Sequence, residues 1–135
     1  MYLIDTNIFL EVMLSRGRKE YCKELLRRLR DGREEGIVTD FTIHSIIVIM
    51  DKFEKLRELK EFLSSLSAYK GLYVFHTNLA VEVEAVERAL EGKLDMDDAI
   101  QYSSAVAAGV KCIISYDKHF DGLDIPRKTP EEVLR

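Results

Sequence analysis

The chain begins MYLIDTN, residues 1–7. Tyr2, Leu3 and Ile4 make a short, continuous apolar run, which is how a strand buried on both faces reads. An acid, a hydroxyl and an amide follow at once as Asp5, Thr6 and Asn7. A carboxylate at the end of such a strand caps the next helix, holds a cation, or does both. Three more runs have the same character: IVT at 37–39, LYVF at 72–75 and CIIS at 112–115. Between them, apolar residues recur at helical spacing. Tyr21, Cys22, Leu25, Leu26 and Leu29 form one stripe, and a long helix is expected from about Ile43 to Leu66. Leu79, Val83, Val86 and Leu90 form another, ended by Gly92, and Ala99, Ile100, Ser103, Val106 and Ala107 a last, ended by Gly109. Strands separated by helices call for parallel pairing and right-handed crossovers. The expected fold class is therefore α/β, a three-layer α/β/α sandwich with a mainly parallel central sheet.

Length and composition narrow the class further. A chain of 135 residues is read as one domain, 1–135, long enough to bury a core without disulfides. No apolar run approaches the ~20 residues of a membrane span, and the N-terminus lacks the marks of a signal peptide. Cys22 and Cys112 have neither zinc nor redox spacing, so a reduced, cytoplasmic protein with buried thiols is expected. Charged residues make up 33% of the chain, whereas Asn occurs twice and Gln once. That profile resembles proteins of thermophiles.

The net charge is −4, but residues 16–33 carry eight basic and three acidic side chains, a local balance of +5. The rest of the chain then carries −9. A basic docking surface beside an acidic site would have this split, as would a solvated helix face. The run IIVIM, Ile46 to Met50, is apolar on every side. Either it is enclosed or part of it meets another copy, and a homodimer with this helix near the interface is the expectation.

In parallel α/β sheets, ligands bind where strands end and helices begin. Asp5 follows the first strand, Asp40 the second and Asp117 the last, while Asp98 opens the final long helix. Each has a simpler role available. Asp5 and Asp40 are natural helix caps, Asp95 and Asp98 have capping-box spacing, and Asp117 suits a turn. Capping alone, however, does not require Asp5, Asp98 and Asp117 to share one edge. Crowded carboxylates raise each other's pKa unless a cation neutralises them, and all-oxygen ligands favour Mg²⁺ or Mn²⁺. Such ions suit phosphate chemistry. A nucleophile on a Gly-flanked turn, a phosphate-binding glycine loop and a His pair at metal spacing are all missing.

LIDTN at the start, DDAIQYSSAVAAGVKCIISYDKHFDGL near the end and TPEEVL at the close resemble the PIN domain family, and within it the small prokaryotic VapC-type ribonucleases of toxin–antitoxin pairs. The resemblance implies Mg²⁺- or Mn²⁺-dependent cleavage of single-stranded RNA by metal-activated water, with an antitoxin protein as possible partner. By position, it implies Asp5, Asp98 and Asp117 as catalytic and metal-binding acids. Thr6, Asn7 and Ser115 match supporting positions. The family usually carries a further acid early in the helix after the second strand. Here that place falls near Ser45 or Ile46, and neither is acidic. Asp40, Asp97 and Asp121 are the possible additional acids. Arg16, Arg18, Lys19, Lys23 and Arg27 are the expected RNA-binding residues. The competing expectation is a PIN domain that no longer cuts and acts as an RNA- or protein-binding module. A receiver-like phosphoacceptor would want an acid pair after the first strand, which the lone Asp5 does not supply.

Overall fold

A computed structural model describes residues 1–135. The strands are β1 (Tyr2–Ile4), β2 (Gly36–Thr39), β3 (Leu72–Phe75), β4 (Cys112–Ile114) and β5 (Arg127–Lys128). The helices are α1 (Thr6–Met13), α2 (Lys19–Asp31), α3 (Asp40–Lys52), α4 (Leu56–Leu66), α5 (Leu79–Leu90), α6 (Met96–Ala108) and α7 (Pro130–Val133). The sheet runs β3-β2-β1-β4-β5, and every neighbouring pair is parallel.

Alternation along the strands divides the core into two layers. Ile4, Val38 and Ile114 face one side and pack with Ile8, Phe9, Leu25, Leu29, Ile46 and Met50 from α1, α2 and α3. Leu3, Ile37 and Ile113 face the other and pack with Ala85 of α5 and Ala99, Tyr102 and Ala105 of α6. Because both faces are covered, these strands read as unbroken apolar runs. The expected three-layer sandwich is the observed one.

Four details differ from the sequence reading. First, the long helix expected over 43–66 is two helices. Glu54 takes φ +57, its N–H donates to the Asp51 carbonyl and that of Lys55 to the Met50 carbonyl, which ends α3 in a left-handed stop. Second, Leu79, Val83 and Leu90 of α5 are 79%, 58% and 81% exposed, so that stripe faces outward. The buried side of α5 is Val81 and Ala85. Third, α6 is buried nearly all round from Asp98 to Ala105, except at Ile100, while Val106 and Ala107 are exposed. Fourth, β5 has no apolar signature; it is a charged edge pair held by backbone bonds, Ile113 N–H to the Pro126 carbonyl and Ser115 N–H to the Lys128 carbonyl. Within IIVIM, Ile46 and Met50 are wholly buried, and Val48 is 54% exposed. No helix is long and apolar enough to cross a membrane.

Strand order fixes the position of a crevice. From β1 the chain winds outward through β2 to β3, then returns to the opposite side of β1 as β4. The carboxyl ends of β1 and β4 therefore flank the point where the winding reverses, the place where open α/β sheets part to admit a ligand.

Candidate metal centre at the strand ends

Asp5 leaves β1 at this crevice and caps α1 through the Thr6 N–H, 2.8 Å from Oδ1. Its side chain is almost completely buried. Oδ1 also accepts from the Gln101 amide at 2.9 Å. Oδ2 accepts from the Ser115 hydroxyl at 2.6 Å and the Asn7 amide at 3.3 Å. Four donors thus hold one carboxylate: Asp5 caps α1 through Thr6 N–H and is itself braced by Asn7, Gln101 and Ser115, although Ser115 was expected to support Asp117. Burial pushes the Asp5 carboxyl above its ordinary range and Asp117 adds to this, while the Gln101, Ser115 and Thr6 bonds work against it.

A buried polar chain stands behind Asp5. Gln101 accepts from the Thr39 hydroxyl at 2.7 Å and donates to Thr42 at 2.7 Å. The Thr42 and Thr6 hydroxyls are 2.9 Å apart. Gln101 was not among the site residues read from the sequence. Its one sequence signal is that it is the only Gln of the chain and lies on the Asp98 helix.

Asp98 sits in the first turn of α6, whose cap is Asp95, accepting from the Asp98 N–H at 3.0 Å. The capping spacing is therefore real, and it leaves the Asp98 carboxylate for other work. Burial, then the charges of Asp117 and Asp95, push the Asp98 carboxyl up to about 7. Asp117 follows β4 and caps a short 3₁₀ turn, Lys118–Phe120, through the His119 N–H at 2.9 Å. Ser115 Oγ in turn accepts from the Asp117 N–H at 2.9 Å. One ligand atom each from Asp98, Asp117 and His119 lies within 4.8 Å of the others, and Asp5 is not in that group. His119 was missed from sequence because it has no second His at metal spacing.

Beside this group is a cleft of about 270 Å³ lined by Asp5, Thr6, Asn7, Ser45, Asp97 and Asp98, among others. Ser45, where the family acid was expected, faces the cleft and donates to the Phe41 carbonyl at 2.9 Å. Ile46 is core. A larger depression of about 550 Å³, lined by Arg88, Leu94, Tyr102 and Ile125 among others, holds none of these acids. Chemistry, not size, marks the site.

The additional acids divide. Asp97 is exposed on the cleft wall. Asp40 is not the cap of α3, which is Thr39; it accepts instead from Phe41 N–H and from Thr77 N–H and hydroxyl. Thr39 takes the cap because the strand ends there in extended conformation. Asp121 makes a two-pronged pair with Arg127 at 2.8 and 3.2 Å, which holds its carboxyl low. Among the expected RNA-binding residues, Arg27 pairs with Glu24 and Lys23 with Glu20. Arg18 lies 4.3 Å over the Tyr116 ring, one residue from Asp117. Arg16 is exposed, Lys19 half-buried, and neither has an ion-pair partner.

Two carboxylates and an imidazole at one point are a donor set that a divalent cation fits, and such an ion would relieve the like-charge crowding of Asp98 and Asp117.

A parallel α/β/α domain with acids gathered at its winding reversal defines a class of small domains built around an acidic cleft. The profile of the PIN domain matches residues 2–126, and the chain belongs to the PIN domain family. It is similar to "Ribonuclease VapC1" of Aquifex aeolicus, 26% identical over 133 residues, covering 96% of this chain and 90% of that one. Among solved structures it is similar to a toxin–antitoxin complex from Klebsiella pneumoniae, at TM-score 0.71 and 21% identity over 96% of this chain and 98% of that one. It is also similar to VapC20 of Mycobacterium tuberculosis, described as a sarcin–ricin loop cleaving toxin, at TM-score 0.75 and 12% identity over 93% and 96%.

Proposed function

We propose that the protein is a Mg²⁺- or Mn²⁺-dependent endoribonuclease that cleaves single-stranded RNA and acts as the toxin of a toxin–antitoxin pair. The observation that carries this reading is the convergence of Asp98 and Asp117, with Asp5 beside them, from three distant segments onto one strand-end crevice. The ribonuclease name of the Aquifex aeolicus relative and the toxin–antitoxin complex among the solved structures support the biological setting.

When bound, the cation supplies an acidified water and charge neutralisation at a phosphate oxygen. Asp98 and Asp117 hold it. Asp5 contributes its charge beside them, and Gln101, Asn7 and Ser115 fix the orientation of Asp5. Thr6 ties this group to Thr42. Arg16, Arg18 and Lys19 bind phosphates flanking the cut, and Lys23 and Arg27 extend that track from within their helical ion pairs. Asp97 stands on the cleft wall within the path of the RNA. The partner that silences the toxin is a separate antitoxin chain, and the protein works in the cytoplasm as a homodimer.

The test is cleavage of a generic single-stranded RNA with Mg²⁺, with Mn²⁺ and with chelator. The wild type is expected to cut only with an ion, and Asp98→Asn and Asp5→Asn are expected to remain folded and not cut. RNA binding by the wild type with cleavage in neither Mg²⁺ nor Mn²⁺ would overturn the enzyme and leave a binding module. Expression should arrest growth, and co-expression of the antitoxin should relieve it.

A further inference from the structure

We propose that His119 is a direct ligand of the divalent cation together with Asp98 and Asp117, making a mixed nitrogen–oxygen centre that favours Mn²⁺ over Mg²⁺. The inference rests on the reading that this edge holds such an ion.

The ring stands between the two acids. Nδ1 lies 3.2 Å from Asp98 Oδ2 and 3.1 Å from Asp117 Oδ1. Neighbouring ligands of an octahedral ion with bonds of about 2.1 Å stand about 3.0 Å apart. The spacings of Nδ1 to both oxygens match that edge. A hydrogen bond accounts for only one of the two spacings: Nδ1 is in hydrogen-bond geometry with Asp98 Oδ2, while Asp117 Oδ1 stands as close without one. A surface ion pair would also contribute little for a ring that is 69% exposed.

The backbone holds the ring there. His119 N–H is bonded to Asp117 Oδ1, and the next residue, Phe120, is wholly buried in the α6 layer. The position of the imidazole is therefore set by the same 3₁₀ turn that presents Asp117.

The site also has a place for a third ligand. Ser45 stands where a further acid was expected, and a hydroxyl bonded to the Phe41 carbonyl is a poor substitute. Asp5 already accepts four hydrogen bonds, two on each oxygen. Its oxygens lie outside the group formed by Asp98, Asp117 and His119. Mg²⁺ selects oxygen donors and octahedral order, whereas imidazole shifts preference toward the later divalent ions.

Calorimetric titration of Mn²⁺ and of Mg²⁺ into the full chain tests this without reference to activity. The wild type is expected to bind Mn²⁺ more tightly. His119→Ala should weaken Mn²⁺ by about tenfold or more and Mg²⁺ by far less, so that the preference collapses. His119→Asp should restore binding with the preference moved toward Mg²⁺. Substoichiometric Mn²⁺ should broaden the His119 ring protons before those of His44 and His76. If His119→Ala leaves the ratio of the two affinities unchanged while Asp98→Asn abolishes both, the cation site stands and imidazole ligation falls. If the wild type binds neither ion in an Asp98-dependent way, both fall.

Discussion

Gln101 touches Asp5, Thr39 and Thr42 with the two ends of one amide, and nothing else in the chain can replace it there. Gln101→Ala should cost about 1–3 kcal/mol, because three buried partners lose a bond at once. Gln101→Glu should cost more, since it sets a second carboxylate against Asp5, and the excess should shrink on acidification. Urea denaturation of both variants at pH 7.5 and pH 5 measures this. Asp98 supplies a pH dependence of its own. Its folded carboxyl titrates at about 7 against an ordinary 3.8, so the native state keeps a proton that the unfolded chain releases. Below pH ~4 both states hold the proton and the residue costs nothing; the cost builds between ~4 and ~7 and is complete above. In chelator, Asp98→Asn should therefore be more stable than the wild type by about 1–2 kcal/mol at pH 8, with no difference at pH 4. Thermal melts across that range check the sign. The strand-end positions of Asp5 and Asp117 were legible in the sequence, because a topological rule says where acids after parallel strands must go, whereas Asp98 opens a helix that follows another helix and was read from its place at the start of that helix. Gln101 and His119 were not. One works through a buried network that spans β2, α1, α3 and α6, and the other depends on how a three-residue turn aims a ring.

Among the elements, α5 departs furthest from its sequence pattern. The 3.6-residue period was legible, but it offered two faces. The helix buries the smaller one, Val81 and Ala85, because α6 approaches with Ala99 and Ala105 and close approach needs small side chains. Leu79, Val83, Val86 and Leu90 are left outside at the alternating spacing of a coiled-coil seam. A self-matching seam of this kind is one that a second copy would cover, and we propose it as a face of the homodimer; of the run expected near the interface, Ile46 and Met50 are core and Val48 is exposed. Leu79→Glu with Val83→Glu should leave the monomer's secondary structure intact and shift sedimentation at micromolar concentration from dimer to monomer. A monomeric wild type would remove the interface. The turn after α3 offers a different check. Glu54 carries φ +57 in a stop that suits glycine, and no apolar pattern announces it, since Phe53 and Leu56 continue the helical spacing across the break. Glu54→Gly should raise stability by about 0.5–1 kcal/mol, read as a higher urea midpoint at unchanged slope.

At the scale of the whole molecule, opposite charges are sorted onto neighbouring parts of one surface. The α1–α2 turn brings Arg18 onto Tyr116, beside the acid edge, while the rest of the chain carries the negative excess. RNA binding should therefore weaken with salt, and Arg16→Ala with Lys19→Ala should flatten the dependence of log affinity on log salt by roughly one unit. Fluorescence anisotropy with Asp98→Asn, expected to bind without cutting, is the measurement. The parallel pairing of the strands and their cover on both sides were legible, and the order in which they lie was not. Nor was the fifth strand, since Arg127 and Lys128 pair through backbone alone. The three carboxamides of the chain, finally, all hold bonds: Asn78 caps α5, and Asn7 and Gln101 grip Asp5. Conversion of Asn78 to aspartate would leave a serviceable cap. Hydrolysis of either of the others would plant a fresh anion against a buried one. Chemical ageing that reaches either of these two amides would therefore strike the acidic crevice and the stability of the sandwich together, whereas ageing at the exposed Asn78 would pass unnoticed in both.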